Sequence, residues 1–375
     1  MPKWGLTTSQ RSSKPWGLPK KELEPSKTIT DPIHGDIYIT CLERRFLDSP
    51  PLQRLRRVRQ LGTTHLVYPG ATHSRLSHAL GALRSAQDLL DAVIDQRTGP
   101  HAAKRDLFRE WPKREYNRRV AEATVLARLG ALLHDMCHVP FGHSIEDDLK
   151  ILEPHDENPR RFEKLWNQFD QEIRRLVEPD LKAALEPLIL SKLEVKDPPE
   201  PARRYPFVAD IVGNTICADL IDYLQRDHRF TGLPLELGRR FLDGFYVTAS
   251  DHPLQASRMV VQICKNSRPR ADVVSELLKH LRYRYELSER ALVHHAKLAA
   301  DAMIGKLMEI WRDSLWNESA ASERPDEFAE YVPDIRELRC MVEGMGTDLY
   351  NKIGSSGIRV GSESGWKAER EGLEG

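Results

Sequence analysis

What the sequence holds little of already excludes several classes. Cysteine occurs five times, at positions 41, 137, 217, 264 and 340. There is no CxxC pair, and the neighbours are mostly apolar, which argues against a disulfide scaffold or a thiolate zinc module and reads as reduced core residues of a cytosolic protein. No apolar run approaches the ~18 residues that a bilayer span needs. The opening stretch, MPKWGLTTSQRSSKPWG, lacks the apolar region of a secretory leader. Neither sign of charge is in excess: 56 Lys and Arg balance 56 Asp and Glu. Global electrostatics therefore points to neither nucleic acid nor a membrane surface. No internal repeat is visible.

What is present is a row of imidazoles and carboxylates set into apolar helices. The stretch LGALLHDMCHVPFGHS (129–144) continues an almost wholly apolar helix that begins at Val120, and delivers His134 and Asp135 at its end. The spacing puts His138 one helical turn past His134 on the same face, with Pro140 and Gly142 closing the helix and His143 in the turn. A second His-Asp pair, His155-Asp156, lies in polar surroundings. In YPGATHSRLSHALGALRSAQDLLDAVI (68–94), Leu76, Ala79, Leu80, Leu83, Ala86, Leu90 and Val93 follow helical spacing. Arg75 and His78 then share a face near that helix's start. In FVADIVGNTICADLIDYLQRDHRFTG (207–232) the apolar residues again read as a helix, with Asp219, Tyr223 and Asp227 on one stripe. Asp219 sits among apolar neighbours, where a carboxylate requires a metal or an arginine as partner.

His78, His134-Asp135 and Asp219, in that order on three helices, form an H…HD…D pattern. Here the chain resembles the HD-domain metal-dependent phosphohydrolases, and within them the dNTP triphosphohydrolase branch that includes the SAM-and-HD-domain enzymes. DPIHG, DSPPLQRLRRVRQLG, YPGATHSRLSHALG, LLHDMCHVPFGHS and DLIDYLQRD carry the resemblance, over roughly residues 27–300. It implies an all-α, mainly helical HD-domain fold with a small β-hairpin and a short N-terminal strand. It also implies a divalent metal on His78, His134, Asp135 and Asp219; that donor set admits Mn, Fe, Ni, Zn or, less comfortably, Mg. Arg75 would clamp phosphate, and His138 and His143 would bind phosphate or move protons. His155 with Glu146 matches an acid dyad, at a shorter spacing than the branch leads one to expect. Gln60, Tyr223 and Asp227 match residues lining the sugar pocket. Asp48, Gln53 and Arg56, with Lys27, match a regulatory site that reads a guanine nucleotide; Arg240 and Arg268 resemble contacts to a second regulatory nucleotide. The departures are Thr30 for an Asn, Leu220 for a phosphate-touching Lys, and an Arg/His/Tyr substrate cluster for which Arg282, Arg284, His294, His295 and Lys297 are the candidates.

The remaining segments read as follows. Residues 1–26 are polar with Pro and Ser and read as a flexible tail. TITDPIHGDIYIT (28–40) reads as a turn and a short strand carrying Ile37 and Ile39. Residues 42–61 are helical, interrupted at Pro50-Pro51, with a basic face. Residues 95–119 read as a charged surface insertion rather than a nucleic-acid patch. GFYVTASDHP and SRMVVQIC (244–264) read as the strands of a hairpin, and a helical region runs from Val273 to about Trp316. The expected organisation is one HD phosphohydrolase domain over 27–320, then a C-terminal helical segment and flexible tail over 321–375.

The leading expectation is a dNTP triphosphohydrolase that releases deoxynucleoside and inorganic triphosphate, with GTP or dGTP as effector and a homo-oligomeric state implied by the resemblance. One alternative is an HD phosphohydrolase acting on a nucleoside monophosphate or cyclic nucleotide. Another is a nucleotide sensor or single-strand binder without turnover, for which the basic segments at 54–59 and 104–119 speak.

Overall fold

A computed structural model describes residues 5–95, 107–192, 200–248, 257–265 and 268–318. It is mainly helical, with three small antiparallel strand pairs among the described residues. The expected flexible N-terminus is instead packed from residue 5 onward. Leu6, Leu18 and Leu23 are buried, and the Trp16 indole N–H donates to the Glu122 carbonyl at 2.8 Å. These anchors are widely spaced in a polar stretch, so they leave no periodicity to read.

Strand β1 (Pro25–Asp31) pairs with β2 (Gly35–Thr40) in a hairpin, Ile29 opposite Ile37. One strand was expected here and two form. The Asp31 carboxylate accepts the backbone N–H groups of Ile33 and His34 at 2.9 and 3.0 Å, and Gly35 takes φ 67°, so DPIHG is the hairpin turn itself. Two short helices follow, Cys41–Leu47 and Pro50–Arg54, separated at the prolines.

Six longer or site-bearing helices matter below: α1 (Arg75–Asp95), α2 (Lys113–Leu133), α3 (Phe207–Val212), α4 (Ala218–Thr231), α5 (Ala271–Leu287) and α6 (His295–Glu318). Helix α1 packs on both α2 and α4. A Cβ on Gly81 would run into the Asp222 carboxylate and the Arg226 guanidinium, so α1 and α4 meet backbone to side chain at that point. Strands β3 (Phe245–Val247) and β4 (Met259–Val261) pair antiparallel, as the apolar stretches indicated. Of the expected surface insertion at 95–119, residues 96–106 lie outside the described residues, and Lys113 onward belongs to α2. The segment 321–375 also lies outside them.

Two helix readings are corrected at the site. Helix α2 starts at Lys113 and stops at Leu133, not at Pro140. The chain then descends through tight turns, with Met136 N–H on Leu133 O at 2.9 Å and His138 N–H on Asp135 O at 3.1 Å. Phe141 takes φ 59°, a left-handed conformation that costs a bulky residue strain. His134 and His138 therefore do not share a helix face. The stretch 207–232 is two helices, broken at Gly213–Cys217, with the Cys217 sulfur capping α4 by accepting the Leu220 N–H. The break places Asp219 in the first turn of α4, where the helix dipole favours a negative charge.

Candidate active site

The ends of α1, α2 and α4 bring four donors to one point. His78, fully buried on α1, has its Nε2 3.3 Å from His134 Nε2, 3.1 Å from Asp219 Oδ1 and 3.7 Å from Asp135 Oδ2. His134 Nε2 lies 3.4 Å from Asp135 Oδ1 and 3.8 Å from Asp219 Oδ1. The far nitrogen of each ring is already committed. His134 Nδ1 meets the Ala131 carbonyl at 2.8 Å, which fixes it as the protonated nitrogen. His78 Nδ1 meets Asp222 Oδ2 at 2.7 Å. Both Nε2 atoms then present lone pairs to each other and to two carboxylates, an arrangement that repels itself unless a cation lies among them. His78, His134 and Asp135 offer ligand atoms within 4.8 Å of one another. The residues present fit a divalent metal by donor type, tautomer and convergence. Asp219 is 38% exposed, which leaves the centre open to solvent on that side.

Electrostatics expresses the same demand. Burial would lower His78, but Asp219, Asp222 and Asp135 overcome it and push the imidazole up to about 10. Burial would raise Asp135, and His134, Arg75 and His138 hold it well below the carboxylate range. Arg75 donates from a terminal nitrogen to Asp135 Oδ2 at 2.7 Å, and its Nε has no partner among the described residues.

A second cluster adjoins the first. His138 Nε2 is 3.3 Å from Asp135 Oδ1. Its ring stacks on that of His155, centroids 3.4 Å apart and 25° from parallel. Both lean on one carboxylate oxygen, Glu146 Oε2, at 3.5 Å from His138 Nδ1 and 3.2 Å from His155 Nδ1. Arg161, fully buried, donates to the other oxygen of Glu146. Asp135, His138 and His155 also have ligand atoms within 4.8 Å, but nearly parallel stacked rings cannot both point their lone pairs at one ion, so this cluster suits protons better than a second metal. Gly142 packs behind it: a Cβ there would lie 2.6 Å from His138 Nδ1. His143 is exposed and bonded to Asp147 at 2.7 Å, its ring 4.9 Å from that of His138.

The remaining candidates are spread. Asp227 bonds His73 Nε2 at 2.8 Å. Tyr223 is half-buried beside Leu224 and Leu287, and Gln60 is half-buried with an Oε1 that has no partner among the described residues. Asp48 pairs with Arg44 at 3.2 Å, Arg56 donates to Gln53 at 2.7 Å, and Lys27 is exposed on β1. Arg240 pairs with Asp272 at 3.3 Å and Arg268 is exposed. Lys297 is buried against Asp301, which also takes the Thr63 hydroxyl. Arg282 and Arg284 are exposed, and His294 and His295 stack on each other.

Residues 113–227 match the HD domain family. That segment is an HD domain. The chain is similar to the human deoxynucleoside triphosphate triphosphohydrolase SAMHD1, 27% identical over 304 residues, covering 75% of this chain and 44% of that one. It is also 30% identical over 216 residues to the uncharacterized protein YwfO of Bacillus subtilis, covering 57% of this chain and 42% of the relative. The uncharacterized protein MJ1154 of Methanocaldococcus jannaschii is 36% identical over 121 residues, 32% and 21% of the two chains. The chain thus spans less than half the length of these relatives. None of its described helices is long and apolar enough to cross a membrane.

Sequence reasoning missed Asp222, His34, Arg226, Asp31 and Arg161. Asp222 is fully buried three residues after Asp219, and accepts from His78, from His34 at 2.7 Å and from Arg226 at 2.9 Å. The available signal was DPIHG, whose Asp and His stood out as a motif without a role. Arg161, in HDENPRRFEK, gave no signal beyond charge.

Proposed function

We propose that this protein is a metal-dependent phosphohydrolase that cleaves deoxynucleoside triphosphates to deoxynucleoside and inorganic triphosphate. The observation that carries the reading is the convergence of two imidazole lone pairs and two carboxylates beside a Glu146-linked histidine pair. The similarity to a named dNTP triphosphohydrolase over three quarters of the chain supports the substrate class.

A divalent cation held by His78, His134, Asp135 and Asp219 would supply a polarised phosphate oxygen and a more acidic bound water. The rest falls to the chain's own groups. Arg75, anchored through one nitrogen on Asp135, keeps its Nε edge for a phosphate oxygen. His155, its Nδ1 held on Glu146, is the group that would pass a proton to the leaving oxygen. Gln60, Tyr223 and Asp227 border the sugar in this reading. Chromatography of products from a dNTP panel with Mn or Mg tests it. Deoxynucleoside with intact triphosphate is the expected result; stepwise phosphate release, or no turnover, overturns it.

A second reading, hydrolysis of another phosphate ester, is favoured by one feature: Leu220 is buried where the branch carries a phosphate-touching Lys. Turnover of nucleoside monophosphates or cyclic nucleotides in the same panel would select it. Regulation by GTP or dGTP at Asp48, Gln53, Arg56 and Lys27, and self-assembly into a homo-oligomer, belong to the same proposal. Asp48 would accept from the guanine ring N–H and amino group while Arg56 donates to its carbonyl. A dGTP-induced rise in melting temperature that Asp48→Ala erases is the expected result; an equal rise with ATP would remove the guanine site.

A further inference from the structure

We propose that the N-terminal hairpin turn is a built part of the metal centre, with His34 the positioning residue that sets, through Asp222, how tightly His78 holds the cation. The inference rests on the metal reading given under Proposed function.

Asp222 is fully buried, and both its oxygens are occupied. Oδ1 accepts from His34 Nε2 at 2.7 Å and from an Arg226 terminal nitrogen at 2.9 Å. Oδ2 accepts from His78 Nδ1 at 2.7 Å and from Arg226 Nε at 2.9 Å. One ionised carboxylate has about four lone-pair directions, and four donors fill them. Arg226 alone would neutralise this charge. The donor from His34 adds direction: with it, each carboxylate oxygen carries two donors, which restrains the carboxylate and so the aim of its hydrogen bond to His78.

The turn that presents His34 closes on itself through the same arginine. Asp31 Oδ2 accepts from Arg226 at 2.9 Å, while Asp31 Oδ1 takes the backbone N–H groups of Ile33 and His34. Asp31 therefore shapes the turn with one oxygen and steadies Arg226 with the other. The circuit runs from Asp31 to Arg226, to Asp222, to His34, and back through the turn. His34 and Asp222 are 188 residues apart in sequence, and the hairpin lies before the stretch 113–227 that matches the HD domain. The His34 side chain is 5% exposed and that of Asp222 is fully buried. A carboxylate behind a ligating histidine fixes the ring's tautomer and orientation and raises its basicity; His34 acts one step further out, on that carboxylate.

The test uses the full chain and Mn²⁺ alone as probe, titrated by the electron paramagnetic resonance of the free ion, so that no substrate or turnover enters. Gln places a side-chain N–H about as far from the backbone as His Nε2, whereas Asn falls short. His34→Asn and His34→Ala are expected to weaken Mn²⁺ binding about tenfold or more, and His34→Gln by less than about threefold, on the scale of outer-shell losses. Melting of the metal-free variants is read in parallel. A purely structural role would shift melting without separating Gln from Asn in metal affinity. Should His34→Ala fail to fold, the Gln and Asn pair still decides. Asn binding as tightly as the parent, or Gln as weakly as Asn, overturns the proposal. A parent chain that takes up no Mn²⁺ overturns the metal reading beneath it instead.

Discussion

Two pairs of histidines sit side by side in this molecule, equally buried, and their surroundings drive them in opposite directions. His78 and His134 meet edge to face, 75° apart, nitrogen to nitrogen at 3.3 Å. His138 and His155 lie ring on ring, 25° apart. Around the first pair three aspartates gather, and against the pull of burial His78 is pushed up to about 10. Around the second, burial, Arg75 and the stacked His155 push His138 down to about 3. His78 asks for positive charge; His138 refuses it. Residue type and depth do not decide what a buried histidine is for. The number of carboxylates facing it, and whether the rings aim at one point or past each other, do.

The comparison breaks most visibly if a ligand is removed. His134→Ala and Asp135→Ala are expected to lose the metal and all turnover, because coordination goes and the remaining carboxylates are left uncompensated. Elemental analysis checks this, and full metal in an inactive Asp135→Ala protein would take that residue out of the ligand set. Next in size is Glu146→Gln, which leaves the first pair intact: metal content should hold while kcat falls about a hundredfold or more, the range of a lost acid–base partner. If metal falls in step with rate, the two pairs are one unit. Arg75→Lys should keep the metal and lose about tenfold in rate, the equivalent of one charge-assisted hydrogen bond; an unchanged rate would end any two-pronged role for this guanidinium.

The smallest effect serves as a control away from both pairs. Burial pushes the Asp91 carboxyl up to about 7, against the hydrogen bond from Gln87 at 2.7 Å. Its folded value lies above its unfolded one, so the folded state holds the proton more tightly. The resulting stability is present in full below about pH 4 and is lost as pH rises through 7. Asp91→Asn should thus match the parent near pH 4 and exceed it in melting temperature by an amount that grows up to pH 7 and then levels off. A constant offset at all pH values would show that packing, not the proton, is responsible.

How far the sequence led follows from the range of the interactions. His78, His134, Asp135 and Asp219 stood out as candidates because each lies in, or directly beyond the end of, an apolar helix. The strand pair within 244–264 was legible from its apolar stretches. The turns after Leu133 were not, because His134 and His138 have helical spacing and the tight turns between them leave no residue signature before Pro140. Asp222 was passed over because the stripe through Asp219, Tyr223 and Asp227 runs beside it, and its partner His34 is 188 positions away. The packed N-terminus was hidden for a like reason: Leu6, Leu18 and Leu23 are too sparse to form a pattern.

Gly81 lies three residues along α1 from His78, where α1 presses on Asp222 and Arg226. It works as the gauge block of the centre: the missing methyl sets how near the helix carrying one donor comes to the helix carrying another. A sequence with all four donors in place and alanine at this position would look complete to any motif search, yet its two halves would be held apart like a caliper that no longer closes.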